Sequence, residues 1–288
     1  MTDETIAPPA RASGAGAFLR RHPTVVIGGA LLLVIVLASI AAPWLGTVDP
    51  ISIAPSERLR GPSADHWFGT DRFGRDLYSR VIYGGRVSLI VGLSVAALST
   101  VIGLTIGLVS GFIRGVDAVI MRVMDGMMAI PAIMLAIALI ALSKASVIVV
   151  IVAVTLPEVP RVVRLVRSIV LTIREQPYIE AATAIGTSLP RIMLRHLLPN
   201  ALPPLIVQAT YICASAVLIE AALSFLGAGT PPEVPSWGNI MAEARPYFQL
   251  KPWMVLLPGL FLAVTVLAIN LVGDGLRDML DPRLARKM

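Results

Sequence analysis

Six runs without a charged residue dominate the sequence: His22 to Val48, Val87 to Ile113, Gly126 to Ser143, Ala145 to Pro157, His196 to Ile219 and Pro252 to Gly273. Five of them are 18 residues or longer. At about 1.5 Å of rise per residue, each of those five can cross a hydrocarbon core of about 30 Å as a helix. The expectation is an all-α, polytopic membrane protein. Composition agrees, with 56% apolar and 15% charged residues, against about a quarter charged in soluble domains. One cysteine and no long low-complexity tract argue against a disulfide scaffold, collagen or a disordered chain. Cys213 falls inside an apolar run, where it reads as a small buried hydrophobe.

The net charge of +6 reads as retention of basic loops on one side of a membrane rather than as a nucleic-acid surface. The first run is too long for the core of a signal peptide and is expected to be a retained span. The fourth run, Ala145 to Pro157, is the weak one at 13 residues. Pro157 and Pro160 there are expected either to kink a helix that continues through Val162, Val163, Leu165 and Val166 or to mark a re-entrant segment. With six spans and the N-terminus inside, most of the 24 basic residues fall inside; five spans with the N-terminus outside do as well. Charge counting alone does not choose between them.

Gly103, Gly107 and Gly111 form two overlapping small-xxx-small steps in the second run, a packing face for another helix. The prolines from Pro199 to Pro204 predict that the fifth span starts near Pro203. Phe73, Leu77 and Val81, spaced by four with Arg72, Arg75, Asp76 and Arg80 elsewhere, suggest an amphipathic helix on the outer face. Trp237 and Trp253 suit the outer interface. Asp125 stands three residues after Arg122, a spacing that permits a helical pair, and Asp274, Arg277, Asp278 and Asp281 suggest a salt-bridged helix end.

Catalytic chemistry is not evident. None of the three lysines follows a glycine, so the phosphate-cradling P-loop motif is missing; His22, His66 and His196 are too scattered for a metalloprotease helix. Catalytic, cofactor-binding and metal-binding residues are all expected to be absent. Glu220 is the acidic residue well inside a span and a possible part of a pathway or gate, as is Trp237. A single buried acid leaves an ion-coupled secondary carrier as the competing class.

The segment from Arg174 to Asn200 reads as a helix over Tyr178 to Ile185, a left-handed stop at Gly186, and a second short helix capped by Ser188 with Pro190 in its first turn, ending at Leu198-Pro199. Two short exposed helices of this kind suit insertion into a cleft on another protein. The spacing E-A-A-x3-G, Glu180 to Gly186, with Leu198-Pro199 beyond it, resembles the EAA loop of binding-protein-dependent ABC importer permeases. His196 departs from the general pattern. His66 to Arg80, Leu223 to Gly227, Pro235 to Gly238 and Gly273 to Arg283 are similar to the dipeptide/oligopeptide/nickel subgroup, specifically its second, DppC/OppC-type permease.

That resemblance implies a type I ABC importer permease with six transmembrane helices, cytoplasmic termini and the bacterial inner membrane as its location. It implies a segment 1–23 inside, a first span and extracytoplasmic loop over 24–86, a permease core over 87–275 and a cytoplasmic tail over 276–288. Glu180, Ala181, Ala182, Gly186, His196, Leu198 and Pro199 would couple to a cytoplasmic ABC ATPase, which alone would bind ATP and Mg. Further implied partners are a homologous B-type permease, an extracytoplasmic substrate-binding protein and membrane lipid, with no nucleic acid. The implied cargo is a di- or oligopeptide, with nickel chelates, glutathione or other small solutes as subgroup alternatives.

Overall fold

The computed structural model describes residues 22–280, so Asp281, the segment 1–21 and the last residues of the tail lie outside it. Among the described residues the regular elements are helical, apart from an isolated bridge between Thr70 and Asp76. In chain order they are α1 (Pro23–Ile40), α2 (Leu77–Phe112), α3 (Arg114–Met128), α4 (Ala132–Ala141), α5 (Val147–Arg174), α6 (Pro177–Ala184), α7 (Leu189–Ile192), α8 (Leu198–Phe225), α9 (Trp237–Ala244) and α10 (Trp253–Leu280). Several begin where local chemistry dictates. Asp76 caps α2 by accepting the Ser79 amide at 2.7 Å, and Ser146 and Ser236 accept the amides of Val149 and Asn239, each at 3.2 Å.

Among the described residues, four helical stretches are long and apolar enough to cross a membrane: Pro23–Ile40, Leu77–Phe112, Leu189–Phe225 and Trp253–Leu280. The third apolar run does not make one straight helix. It breaks at Pro131, where α3 and α4 meet at 86°, and the pair together forms a possible fifth crossing. Ten residues of α4 reach only about 15 Å, half a bilayer. The fourth run does continue through its prolines, giving the 28-residue α5 with Pro157 and Pro160 inside it.

The most extensive helix seam joins α2 to α5. A Cβ at Gly103, Gly107 or Gly111 would lie 2.4, 2.7 and 2.7 Å from the Cβ atoms of Val162, Val166 and Val170. The glycine stripe therefore lets two backbones approach, as its spacing predicts. Val162, Val166 and Val170 are fully buried there and join a core with Leu205, Ile212, Ala216 and Leu223 of α8. A second cluster, with Leu77, Val81, Trp237 and Met254, fills the end of the bundle where α2 starts.

Two local expectations fail. The fifth apolar run does not start a helix near Pro203: helix is continuous from Leu189, through a π turn at Met193–Leu197, with Pro203 and Pro204 inside α8. Ala201 and Leu205 are buried in the core on either side of these prolines, so packing holds the helix through them. The segment before Leu77 is not an amphipathic helix either. Gly69 and Gly74 take φ of +77° and +81°, and at Gly74 a Cβ would sit 1.8 Å from the Ala54 carbonyl oxygen, so the chain turns tightly under another loop. Leu77 and Val81 then face the core, both fully buried, rather than a membrane surface.

Candidate functional site

The predicted coupling loop forms a helical hairpin at the end of the bundle where α5 finishes. Pro177 starts α6 and Glu180 lies in its first turn. The helix is closed by a Schellman turn: the Thr187 amide donates to the Ala182 carbonyl and the Gly186 amide to the Thr183 carbonyl, each at 3.0 Å. Gly186 has φ +80°, with open space where a Cβ would be, so glycine is required there by backbone conformation and not by crowding. Ser188 precedes α7, as predicted, but makes no side-chain cap bond.

The hairpin is held from beneath by a few apolar anchors. Ile179, Ile192 and Leu197 are at most 2% exposed and belong to the main core. Its outer surface is bare: Glu180, Ala181 and Gly186 are exposed, and Ile185 is 82% and Leu194 65% exposed. Ala182 and His196 are half-buried, and His196 lies 5.9 Å from the Tyr178 ring, tying the second helix to the first. Leu198 and Pro199 do not end the hairpin; they open α8 and carry it directly into a span. Beside α6 a recess of about 580 Å³ is lined by Phe112, Arg114, Arg174, Glu175, Ile179, Glu180, Thr183 and Ala184. Arg174 spans to the Gly111 carbonyl at 3.0 Å, and Arg167 grips Asp117 through two bonds of 2.5 and 2.6 Å. Asp125 pairs with Arg164 of α5 at 2.6 Å, across the helix boundary rather than along its own helix.

Glu220 and Trp237 sit far from this hairpin and close to each other's helices. Glu220 is fully buried and accepts from Ser88 of α2 at 3.1 Å and Ser224 at 2.9 Å. Thr230, Ser236 and Asn239 extend this polar chain to α9, with Asn239 donating to the Thr230 hydroxyl at 2.9 Å. A carboxyl enclosed by hydroxyls within one chain is a packing node rather than an open binding group. Trp237 is 1% exposed and its indole donates to the Val81 carbonyl at 2.9 Å, so it does not lie at an interface with lipid. α9 is clamped onto α8 there: a Cβ at Gly238 would meet Ala221 at 2.7 Å.

A second knot lies beside this node. Asp71 and Glu243 together hold Arg75 and Arg80: Arg75 bonds Asp71 at 2.6 Å, Arg80 bonds Glu243 at 2.7 Å, and Arg75–Glu243 and Arg80–Asp71 contacts complete the square. Arg80 is 1% exposed. Paired to two carboxylates each, Arg75 and Arg80 are fastenings, although the buried Arg80 Nε has no hydrogen-bond partner. His66 bridges Asp76 at 2.9 Å and Glu57 at 3.0 Å. The Asp76 hydrogen bond, helped by Glu57 and opposed by burial, raises its pKa above the ordinary 6.5. Asp71 and Arg80 stand inside a motif visible in the sequence; Glu243, their partner from α9, gives no local signal.

At the coupling end, Asp274 of α10 takes the Tyr211 hydroxyl at 2.5 Å. It was expected in a salt-bridged helix end, and its partner comes from α8 instead.

Among the described residues, long apolar helices carrying an exposed helical hairpin at one end form the bundle of a membrane protein. Residues 99–286 match the family described as binding-protein-dependent transport system inner membrane component, and residues 15–62 match the N-terminal TM domain of oligopeptide transport permease C. The chain belongs to this family of ABC importer permeases. A probable peptide ABC transporter permease protein of Sinorhizobium fredii is 53% identical over 93% of this chain and 92% of its own. The dipeptide transport system permease DppC of Alkalihalophilus pseudofirmus is 42% identical over 92% and 88%. The probable D,D-dipeptide transport system permease DdpC of Escherichia coli is 40% identical over 93% and 91%. Among solved structures, an inward-facing form of the MetNI methionine ABC transporter matches the fold with TM-score 0.58 at 22% identity, over 70% of this chain and 96% of that one.

Proposed function

We propose that this chain is one of two homologous permeases in an ATP-driven importer of di- or oligopeptides. The observation that carries it is the exposed hairpin α6–α7, anchored by Ile179 and Ile192 yet presenting Glu180, Ala181 and Ile185 outward. That surface would dock on a cytoplasmic ABC ATPase, which alone holds ATP and Mg. Its C-terminal arm runs without a break into α8, so a push on the hairpin reaches a span directly. In this reading the α3–α4 pair and α5 complete six crossings, and the hairpin and both termini face the cytoplasm of a cell with an inner membrane. The knot at the opposite end then faces outward, toward a substrate-binding protein that delivers the peptide. A B-type permease closes the pathway, and lipid surrounds the remaining faces. ATP-driven closure of the ATPases would draw the two hairpins together and open the pathway outward; hydrolysis would reset it.

The relatives named for peptide or dipeptide transport support the choice of cargo. The test is reconstitution of both permeases, the ATPases and the binding protein in liposomes. ATP-dependent uptake of a labelled dipeptide that disappears when the ATPases are omitted is the expected result. Uptake driven by an ion gradient with this chain alone would overturn it.

A further inference from the structure

α8 carries two recesses on two faces. One, of about 460 Å³, lies between α1, α2, α8 and α10 and is lined by side chains such as Leu32, Val36, Leu93, Ile206, Ala209 and Cys213. The other, of about 420 Å³, is lined by Leu165 of α5, Pro203, Pro204, Val207, Gln208 and Tyr211 of α8, and Arg277 and Leu280 of α10. The first is a dry groove of a membrane-embedded surface. The second gathers an amide, a phenol and a guanidinium beside the exposed Asp274 carboxylate, which Tyr211 engages.

Depth matters here. Tyr211 lies 14 residues before the end of α8 at Phe225, about 21 Å along the axis. Asp274 lies 21 residues after Trp253, about 32 Å from the same end of the bundle. The cluster thus begins within the span and reaches its coupling end. Gln208 and Tyr211 lie within the hydrocarbon depth, where polar groups face a protein interior or a water-filled cavity because lipid tails cannot hydrogen-bond them, and Asp274 and Arg277 stand at the boundary just beyond it. The surface is concave and its charged groups are exposed, which suits water and a polar solute better than a close-packed helix partner. Tyr211 occupies one Asp274 oxygen, and Arg277 follows on the same face of α10, so an acceptor and a donor of opposite charge stand within a turn of each other.

We infer that the face bearing Gln208, Tyr211, Asp274 and Arg277 lines the water-filled route at its coupling end, where Arg277 meets the carboxylate and Asp274 the ammonium group of a small zwitterionic solute. The solute class rests on the peptide reading above; the lining does not.

The test uses the assembled, nucleotide-free importer in liposomes opened to reagent on both sides, and a charged, membrane-impermeant methanethiosulfonate. Cys213, the chain's single cysteine, lines the dry groove and serves as the internal control. Gln208→Cys should be modified at least tenfold faster than Cys213 and than Ile206→Cys, and its modification should block transport. Equal, slow modification of all three overturns the lining. Modification of Gln208→Cys only after the permeases are separated also overturns it, and assigns the face to the partner permease. Asp274→Asn and Arg277→Gln should each lower dipeptide uptake severalfold while substrate-stimulated ATP hydrolysis persists; unchanged uptake by both overturns the solute contact. If the wild-type importer carries no peptide, the cargo reading fails, and the labelling contrast still decides the lining.

Discussion

The two ends of the bundle solve opposite problems. At one end Asp71, Arg75, Arg80 and Glu243 pair with one another and Glu220 with Ser88 and Ser224 inside the chain, leaving Arg80 and Glu220 0–1% exposed. At the other, the α6–α7 hairpin leaves Ile185 and Leu194 bare and rests on three apolar anchors. The first end buries its charges within the chain; the second leaves apolar side chains exposed. Substitutions should therefore act on stability at the knot and on coupling at the hairpin, and that difference can be broken experimentally.

The largest effect is expected from Glu243→Ala. It leaves Asp71 as the one carboxylate against two buried guanidinium groups, and loss of one partner of a buried ion pair costs about 3–5 kcal/mol. The variant should melt earlier in detergent and yield less protein; a wild-type melting temperature would show that the knot is only decorative. Next is Gly107→Val in the seam between the ends. Its Cβ would press on Val166 at 2.7 Å and on the Val163 carbonyl at 3.0 Å, and overpacking of this kind costs about 1–3 kcal/mol. Gly107→Ala should be milder in the same melting assay.

At the hairpin, Gly186 separates conformation from size. Gly186→Val forces a β-branched residue to φ +80°, at a cost of about 1–2 kcal/mol, whereas Gly186→Asn tolerates it. Both variants should assemble with near-normal stability. Val should lower substrate-stimulated ATP hydrolysis severalfold and Asn should not; equal activity of the two would remove the Schellman turn from the coupling mechanism.

The smallest effect concerns pH. The His66 pKa is raised by its bond to Asp76, with Glu57 assisting. Its contribution is therefore fully present below 6.5 and fades as pH rises through the folded-state value above it. Limited proteolysis of the 48–76 loop should be slowest at mildly acidic pH, and His66→Asn should flatten the profile.

The hairpin was legible because its signals are local. A proline at the start of α6 and a left-handed glycine at its end specify the helix whatever lies beneath. The glycine stripe was legible for the same reason, since its period alone marks a close-packed face. The straight third span was wrong because hydropathy does not register that Pro131 turns the chain through 86°. Trp237 was misplaced because an indole reads the same at an interface as in a core. The start of α8 was misjudged because proline's local cost was weighed without the burial that offsets it.

By itself, the sequence determined that the chain lives in a membrane, where most of its apolar helices run, and where a glycine turn closes a helical hairpin. Hydrophobicity, helix period and turn chemistry act over a few residues, so they can be read along the chain. Only the tertiary structure decided which charges meet: Glu243 reaches Arg80 across 163 positions, and Asp274 reaches Tyr211 across 63. It also decided that α8 has one dry face and one polar face. Those outcomes depend on distances in space, which are set only when the helices pack.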